Sequence, residues 1–268
     1  MQQLAQRVVF GLLYVLLVVG SVQFDFTFVL LIASLGVILI AEFARIVQIK
    51  LIWPLSYFLF ALIGLFFLYT QGILSMYPII FFGIVGIAAL SHMFLLCKLY
   101  TGKPYTLLNF HGIFYVVHGL LSLLIFSIVQ GQFDTNLILS FFVFTWVCDS
   151  GAFAVGNLVK GRKLMPSVSP KKTISGFLGG VILAGLAGWL VSSYLLFFNS
   201  LQWIIFSTSI AVVASVGDLI ESKFKRLAGV KDSGKVMPGH GGVYDRLDGV
   251  IFAAPWAFII FKIVSYVS

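Results

Sequence analysis

Two long stretches without charged side chains constrain this chain more than any other feature of its sequence. Lys50 and Lys98 enclose 47 residues that include no Asp, Glu, Lys or Arg, and Lys172 and Asp218 enclose another 45. Because about 20 consecutive apolar residues cross a bilayer as a helix, each stretch is long enough for two crossings. The mean hydropathy is +1.09 and only 10% of the residues are charged. The sequence therefore predicts an all-α, polytopic membrane protein and excludes a soluble domain.

The hydropathy pattern predicts nine transmembrane helices. Their expected ranges are residues 8–22, 26–45, 51–70, 76–98, 108–130, 135–157, 174–198, 201–222 and 249–267. Sixteen of the seventeen Lys and Arg residues fall on alternate connections or at the span ends beside them, and only Lys262 stands apart, inside the last span. The positive-inside rule then predicts a cytoplasmic N-terminus and a C-terminus on the far side of the cell membrane. The N-terminal apolar segment has no convincing signal-peptide cleavage site, so we expect a retained first helix.

Residues 1–100 have few chemical signals, and we interpret them as a lipid-facing scaffold of transmembrane helices. Glu42 and Arg45, three residues apart at the end of the second span, are interpreted as a solvated or headgroup-facing pair. We expect His92, His111 and His118 to form hydrogen bonds between helices or to lie near the headgroups, because they lack metal-ligand spacing. Cys97 and Cys148 lie in apolar surroundings, which predicts small buried side chains.

Residues 101–268 are predicted to form the catalytic region, with motifs at 149–176 and 215–248. The first motif opens with Asp149, whose carboxylate is costly beside a long apolar run unless it faces a cavity or a cation. The segment Ser169-Pro170-Lys171-Lys172-Thr173 follows a basic loop. We expect its hydroxyl groups to cap the next helix, and a helix N-terminus lined with Lys is a ready anion site.

The stretch from Ser215 to Asp248 carries 11 of the 26 charged residues of the chain. Asp218, Glu221 and Lys225 share one helical face by their spacing. The glycine-rich loop at residues 239–242 is predicted to offer backbone N–H groups as an anion nest, and Asp245 and Asp248 follow it. Carboxylates for a divalent cation, cations for phosphates and free N–H groups together indicate phosphoryl-group chemistry at the cytoplasmic face of the C-terminal helices.

The sequence SKFKRLAGVKDSGKVMPGHGGVYDRLD, at residues 222–248, closely resembles the signature of phosphatidate cytidylyltransferases, also called CDP-diacylglycerol synthases. The segments DSGA (149–152) and SPKKT (169–173) resemble two upstream motifs of that family. The close resemblance covers about residues 145–250. The chain departs from the usual pattern at Met237, at Gly249 and at Ser175, where the family commonly has Glu.

The resemblance implies transfer of the cytidylyl group of CTP to phosphatidic acid, giving CDP-diacylglycerol and pyrophosphate for phospholipid biosynthesis. It also implies a Mg²⁺-dependent site, with a second cation such as K⁺ as an open alternative, and a homodimer in the membrane without a nucleic-acid partner. Reaction of two anionic substrates depends mainly on positioning and charge neutralisation, which the residues of both motifs could supply.

The resemblance assigns roles to residues at matching positions. Catalytic roles fall on Asp218, Asp245, Lys171, Arg246 and Asp248. Cation ligands are Asp218 and Asp245, with Asp149 and Asp248 as further ligands or partners of those ligands. Substrate-binding roles fall on Ser169, Lys171, Lys172, Thr173, Lys225, Arg226, Lys231, Asp232, His240, Gly241 and Gly242.

Two other functions compete with this interpretation. Another CTP-dependent lipid enzyme, such as a polyprenol or dolichol kinase or an ether-lipid cytidylyltransferase, would also need a cation and lysines at the membrane surface. The two reactions differ in product, because a kinase would release CDP rather than pyrophosphate. A transporter would need polar residues that continue through the bilayer, and the outer halves of the predicted spans hold almost none.

Overall fold

The structure is a computed structural model that describes residues 2–72, 78–99, 106–129, 132–237 and 241–267. Within these ranges the chain forms nine α-helices and two short β-hairpins. The helices are α1 (Gln2–Ser21), α2 (Asp25–Ile46), α3 (Ile52–Thr70), α4 (Pro78–Leu99), α5 (Thr106–Phe126), α6 (Thr135–Val159), α7 (Ile174–Val191), α8 (Ser200–Leu227) and α9 (Tyr244–Val267). The strands are β1 (Ile128–Val129), β2 (Gln132–Phe133), β3 (Lys163–Met165) and β4 (Ser169–Thr173).

Each of the nine predicted spans overlaps one of these helices. Among the described residues, six helices are long and apolar enough to cross a membrane: α2, α3, α6, α7, α8 and α9. Helices α1, α4 and α5 contribute shorter apolar segments, at Val9–Ser21, Gly83–Phe94 and His111–Phe126. The chain is therefore an all-α membrane protein, as its hydropathy predicts.

Five helix ends differ from the predicted span ends by four residues or more, including the start of α1 at Gln2 and the end of α8 at Leu227. Helix α5 ends at Phe126 and α7 ends at Val191, earlier than hydropathy indicates, while α9 begins at Tyr244, five residues before the predicted 249. Hydropathy extends the seventh span because it cannot distinguish an apolar helix from an apolar turn. Phe198 illustrates the point, since it lies outside any helix and still packs on Trp203 with 5.3 Å between ring centroids.

Helices α8 and α9 lie largely in the interior of the molecule. In the most apolar part of α9, 61% of the residues are buried inside the protein, and in α8 the share is 50%. The corresponding share in α3 is 22%, so this helix lies at the periphery. Among the six helices long enough to cross a membrane, the two that carry the second motif thus have the largest buried shares.

Helices α6 and α7 pack closely because glycines remove side chains from their contact. A Cβ atom at Gly176 would lie 2.6 Å from the carbonyl oxygen of Ala152, and one at Gly180 would lie 2.6 Å from that of Cys148. Small residues commonly permit such approach in membranes. The antiparallel hairpin β3–β4 connects the two helices, and Thr173 caps α7 by accepting a hydrogen bond from the Gly176 N–H at 3.1 Å. The predicted hydroxyl cap is therefore confirmed, whereas the hairpin was not predicted.

The described histidines serve packing, as their spacing indicates. The Nε2 atom of His118 on α5 lies 3.1 Å from the hydroxyl of Tyr57 on α3, which confirms an interhelical hydrogen bond. The His92 ring stacks on Phe252, and the His111 ring stacks on Phe94. Cys148 is buried as predicted, while the side chain of Cys97 lies outside the described part of the chain.

Candidate active site

The two polar segments predicted from the sequence meet in the structure. Lys172 on β4 forms an ion pair with Asp218 on α8. Arg226, near the end of α8, donates from Nε to the carbonyl oxygen of Val168 in the turn of the hairpin, at 3.3 Å. The hairpin therefore lies against the C-terminal part of α8, which confirms that both motifs share one end of the helix bundle.

Three carboxylates converge where α8 meets α9. Oxygen atoms of Asp218, Glu221 and Asp248 all lie within 4.8 Å of one another. Asp218 and Glu221 share a face of α8 because they are three residues apart. Asp248 joins them because Gly217 allows α9 to approach: a Cβ atom at Gly217 would lie 2.8 Å from the carbonyl oxygen of Asp248. The carboxylate cluster is thus a product of close helix packing.

The carboxylate cluster, defined as Asp218, Glu221 and Asp248, fits a divalent cation by its chemistry. Mg²⁺ prefers oxygen ligands and is usually held by a few carboxylates together with substrate phosphates. Glu221 is buried, with 1% of its surface exposed, and a buried carboxylate is costly unless it is paired or coordinates a metal. A bound cation would offset the negative charge that the ion pairs with lysines leave in place.

Lys225 lies between the carboxylate cluster and Asp245. Its Nζ atom is 2.7 Å from Glu221 Oε1 and 2.6 Å from Asp245 Oδ1. Asp245 Oδ2 accepts hydrogen bonds from the N–H groups of Gly242, at 2.7 Å, and Ser233, at 2.9 Å. Glu221 thus joins the carboxylates that could hold a cation. The oxygens of Asp245 instead accept from Lys225 and from two backbone N–H groups. The assignment of Asp245 as a cation ligand stays a prediction.

The described part of the glycine-rich loop uses its backbone N–H groups inside the protein. Gly241 has a φ of +90°, a value that favours glycine, and its N–H donates to the carbonyl oxygen of Met237 at 3.1 Å. The N–H of Gly242 donates to Asp245, and those of Val243 and Tyr244 donate to Glu42. The N–H groups that were predicted to bind a substrate anion therefore bind the carboxylates of Asp245 and Glu42 in this structure. His240 lies outside the described residues.

Glu42 is the residue that the sequence interpretation missed. It was interpreted as a solvated partner of Arg45, and that interpretation is wrong: only 1% of its surface is exposed. Its carboxylate accepts hydrogen bonds from residues 191 to 202 positions later in the chain. No local pattern could reveal such a contact, although an acidic residue at the end of an apolar span was a weak signal.

The remaining predicted site residues lie on α6, on β4, in the segment after α8 and on α9. Asp149 lies on α6 and interacts electrostatically with Asp218. Ser169 is half-buried in β4. Lys171, Lys231, Asp232 and Arg246 are exposed at the same end of the bundle.

Ser175, a departure from the pattern of the resembling family, has a structural contact. Its hydroxyl donates to the carbonyl oxygen of Lys160 at 2.7 Å and to Thr173 Oγ1 at 3.2 Å. These bonds join the end of α6 to the start of α7. Gly249, another departure, lies against Ala214 of α8: a Cβ atom there would be 3.1 Å from the Ala214 carbonyl oxygen.

The sequence is similar to those of known proteins. Residues 5–264 match the model of the cytidylyltransferase family. The chain is 38% identical to a phosphatidate cytidylyltransferase of Rickettsia felis over 186 residues, which are 66% of this chain and 78% of the relative. It is 42% identical to a phosphatidate cytidylyltransferase of Staphylococcus haemolyticus over 122 residues, 45% of this chain. The match spans about half of the Staphylococcus protein, 46% of its length.

Proposed function

Because this chain belongs to the cytidylyltransferase family, we propose that it transfers the cytidylyl group of CTP to phosphatidic acid. The products are CDP-diacylglycerol and pyrophosphate. The names of the Rickettsia and Staphylococcus relatives support this choice of substrates. The reaction would serve phospholipid biosynthesis, and it needs a site that a nucleotide reaches from water and a lipid reaches from the membrane.

The observation that carries the proposal is the position of the carboxylate cluster. It lies at the junction of α8 and α9, two helices whose apolar parts are long enough to cross a membrane. Lys172 and Lys225 contact it directly. A cation site flanked by lysines at the end of membrane helices suits a reaction between a soluble triphosphate and a lipid phosphate.

Asp218, Glu221 and Asp248 would hold Mg²⁺. When bound, Mg²⁺ supplies positive charge that neutralises the triphosphate and favours departure of pyrophosphate. Lys172 and Lys225 hold these carboxylates in place through their ion pairs. The proposal leaves room for a second cation at this site, such as K⁺.

The exposed cations around the cluster would bind the two anionic substrates. Lys171, Lys231 and Arg246 are exposed near it, and Arg suits contacts to two phosphate oxygens at once. An oxygen of the phosphatidate monoester forms a bond to the α-phosphorus of CTP while the bond from that phosphorus to the β-phosphate oxygen breaks. No proton has to be removed, because the phosphate monoester is already ionised near neutral pH.

The proposal includes a membrane orientation. All nine helices would cross the cell membrane, with the N-terminus and the candidate active site on the cytoplasmic side, where the positive-inside rule puts sixteen of the seventeen cations. The cytoplasmic side is also where CTP is available. We also propose that the protein forms a homodimer, and this part of the proposal rests on the family resemblance alone.

Pyrophosphate release by the purified protein in phosphatidate micelles tests the proposed function. We expect release with CTP and not with ATP, GTP or UTP, and only when both Mg²⁺ and phosphatidate are present. Mass spectrometry should then find CDP-diacylglycerol. Release of CDP in the presence of a polyprenol, with no pyrophosphate, would instead establish the kinase.

A further inference from the structure

Glu42 places a buried negative charge at the start of α9. Its Oε2 atom accepts hydrogen bonds from Ser233 Oγ at 2.8 Å and from the Tyr244 N–H at 2.9 Å, and its Oε1 atom accepts one from the Val243 N–H at 3.1 Å. The carboxylate comes from α2, in the part of the chain that the sequence indicates to be a scaffold. The catalytic region therefore depends on a side chain from the N-terminal half.

Glu42 fulfils the role of a helix cap that the local sequence lacks. The first N–H groups of a helix have no partner inside the helix and usually bond to a nearby Ser, Thr, Asp or Asn. Gly242 and Val243 precede α9 and have no side chain that could accept such a bond. A negative charge at this end also interacts favourably with the helix dipole. Glu42 supplies both effects.

The loop before α9 is shaped around the Glu42 side chain. A Cβ atom at Gly234 or at Gly242 would collide with the Glu42 carboxylate. The neighbouring Phe43 packs edge-on against Phe224 of α8, with 5.1 Å between ring centroids, and against Tyr244 of α9, with 5.5 Å. These contacts fix α2 against the two helices that carry the carboxylate cluster.

A continuous series of contacts leads from Glu42 to the carboxylate cluster. Ser233 bonds to Glu42 and also donates from Oγ to Asp245 Oδ2 at 3.1 Å. Asp245 contacts Lys225, which contacts Glu221 in the cluster. Asp248 lies one turn after Tyr244 on α9, so the start of that helix also sets where Asp248 lies. Displacement of the loop would thus move two of the three carboxylates.

We propose that Glu42 is a positioning residue for cytidylyl transfer, which fixes the start of α9 and thereby holds Glu221 and Asp248 in the geometry that binds the cation. Glu42 touches neither substrate in this account. Tests of this inference by transferase activity rest on the proposed function. Its test by hydrogen exchange at the start of α9 does not.

Two substitutions of Glu42, compared with a control variant, separate positioning from general stability. Glu42→Gln keeps the size of the side chain but removes its charge and replaces one acceptor oxygen with an NH₂ group, which cannot accept a hydrogen bond from the α9 N–H groups. We expect kcat to fall about 10- to 100-fold, as for other groups that orient metal ligands. The Mg²⁺ concentration for half-maximal activity should rise, and the KM for phosphatidate should stay unchanged. Glu42→Asp keeps the charge and should restore part of the loss.

Arg45→Gln is the matched control, because Arg45 is an exposed charged residue one turn away on the same helix. It should behave like the wild type. Equal effects of Glu42→Gln and Arg45→Gln would overturn the proposal and favour a headgroup-facing pair. The proposal would also be wrong if Glu42→Gln lowered only the melting temperature and left kcat and the Mg²⁺ requirement as in the wild type.

Hydrogen exchange provides a readout that does not depend on activity. In detergent, the amides of Val243 and Tyr244 should exchange faster in Glu42→Gln than in the wild type and in Arg45→Gln. Ser233→Ala, which leaves the carboxylate in place, should show a smaller effect and serves if Glu42→Gln does not fold. Unchanged exchange at these amides would refute positioning by Glu42. A wild type without transferase activity would refute the proposed function and leave this test valid.

Discussion

Lys225 is the residue on which the charge balance of the site depends most directly. It is buried, with 8% of its surface exposed, and its Nζ atom contacts both Glu221 and Asp245. Lys225→Met should lower the free energy of unfolding by about 3–5 kcal/mol, because removal of one partner leaves buried charges uncompensated. Chemical unfolding in detergent measures this loss.

Lys223 offers a matched control on the same helix, since it is less buried and has no role in the site. Lys223→Met should change the free energy of unfolding by no more than about 0.5 kcal/mol. Similar losses in both variants would show that the ion pairs of Lys225 do not stabilise the protein.

Glu221 and Asp245 can be distinguished by their response to Mg²⁺. Glu221→Gln removes a carboxylate of the cluster, so the Mg²⁺ concentration for half-maximal activity should rise about 10- to 100-fold or activity should be lost. Asp245→Asn removes an anchor of the loop, so it should lower the melting temperature more than it changes the Mg²⁺ requirement. A larger shift in Asp245→Asn than in Glu221→Gln would support Asp245 as the ligand.

The sequence predicted which residues form the site better than it predicted which residues they contact. Asp218 and Asp248 were expected together, and the structure confirms that they meet. Glu221 was placed on the same helical face as Asp218 but was given no ligand role. The contacts of Glu42 join residues about 200 positions apart, and only the packed structure can show them.

At the scale of secondary-structure elements, close packing of α6 and α7 holds the hairpin that carries Lys172. Gly176→Ala would bring a methyl group against the carbonyl oxygen of Ala152, so we expect a loss of about 1–3 kcal/mol in the free energy of unfolding. Because this displacement reaches β4, the turnover number should fall as well. Thermal unfolding and the pyrophosphate assay measure the two effects.

Gly64→Ala is the control for that variant, since a Cβ atom at Gly64 on α3 has open space around it. The substitution should be neutral or stabilising, by up to about 1 kcal/mol, because Ala favours helix more than Gly does. Equal destabilisation by both substitutions would mean that helix propensity, and not the contact of α6 with α7, governs the result.

The existence of the helices could be predicted because long apolar runs dictate them, whereas several of their ends could not. The residues just before 249 are polar and were placed ahead of the last span, yet α9 begins at Tyr244, whose N–H donates to the distant Glu42. The end of α7 was missed because the following turn is itself apolar. Helix ends depend on hydrogen-bond partners that hydropathy does not record.

At the scale of the whole molecule, the alternation of cations predicts which connections face the cytoplasm. In a variant without Cys97 and Cys148, Arg162→Cys would place a single thiol on the hairpin connection and Leu196→Cys would place one between α7 and α8. A membrane-impermeant maleimide should label Leu196→Cys in intact cells and Arg162→Cys only after permeabilisation. Labelling of both from one side would show that α7 does not cross the membrane.

The central claim is that the CTP α-phosphorus, and not its γ-phosphorus, is transferred to the lipid. CTP labelled with ³²P at either position and incubated with the purified protein, Mg²⁺ and phosphatidate tests this directly. Cytidylyl transfer predicts that the α-label enters the lipid fraction and that the γ-label leaves as pyrophosphate. Appearance of the γ-label in a lipid, with the α-label released as CDP, would contradict the account and identify a lipid kinase.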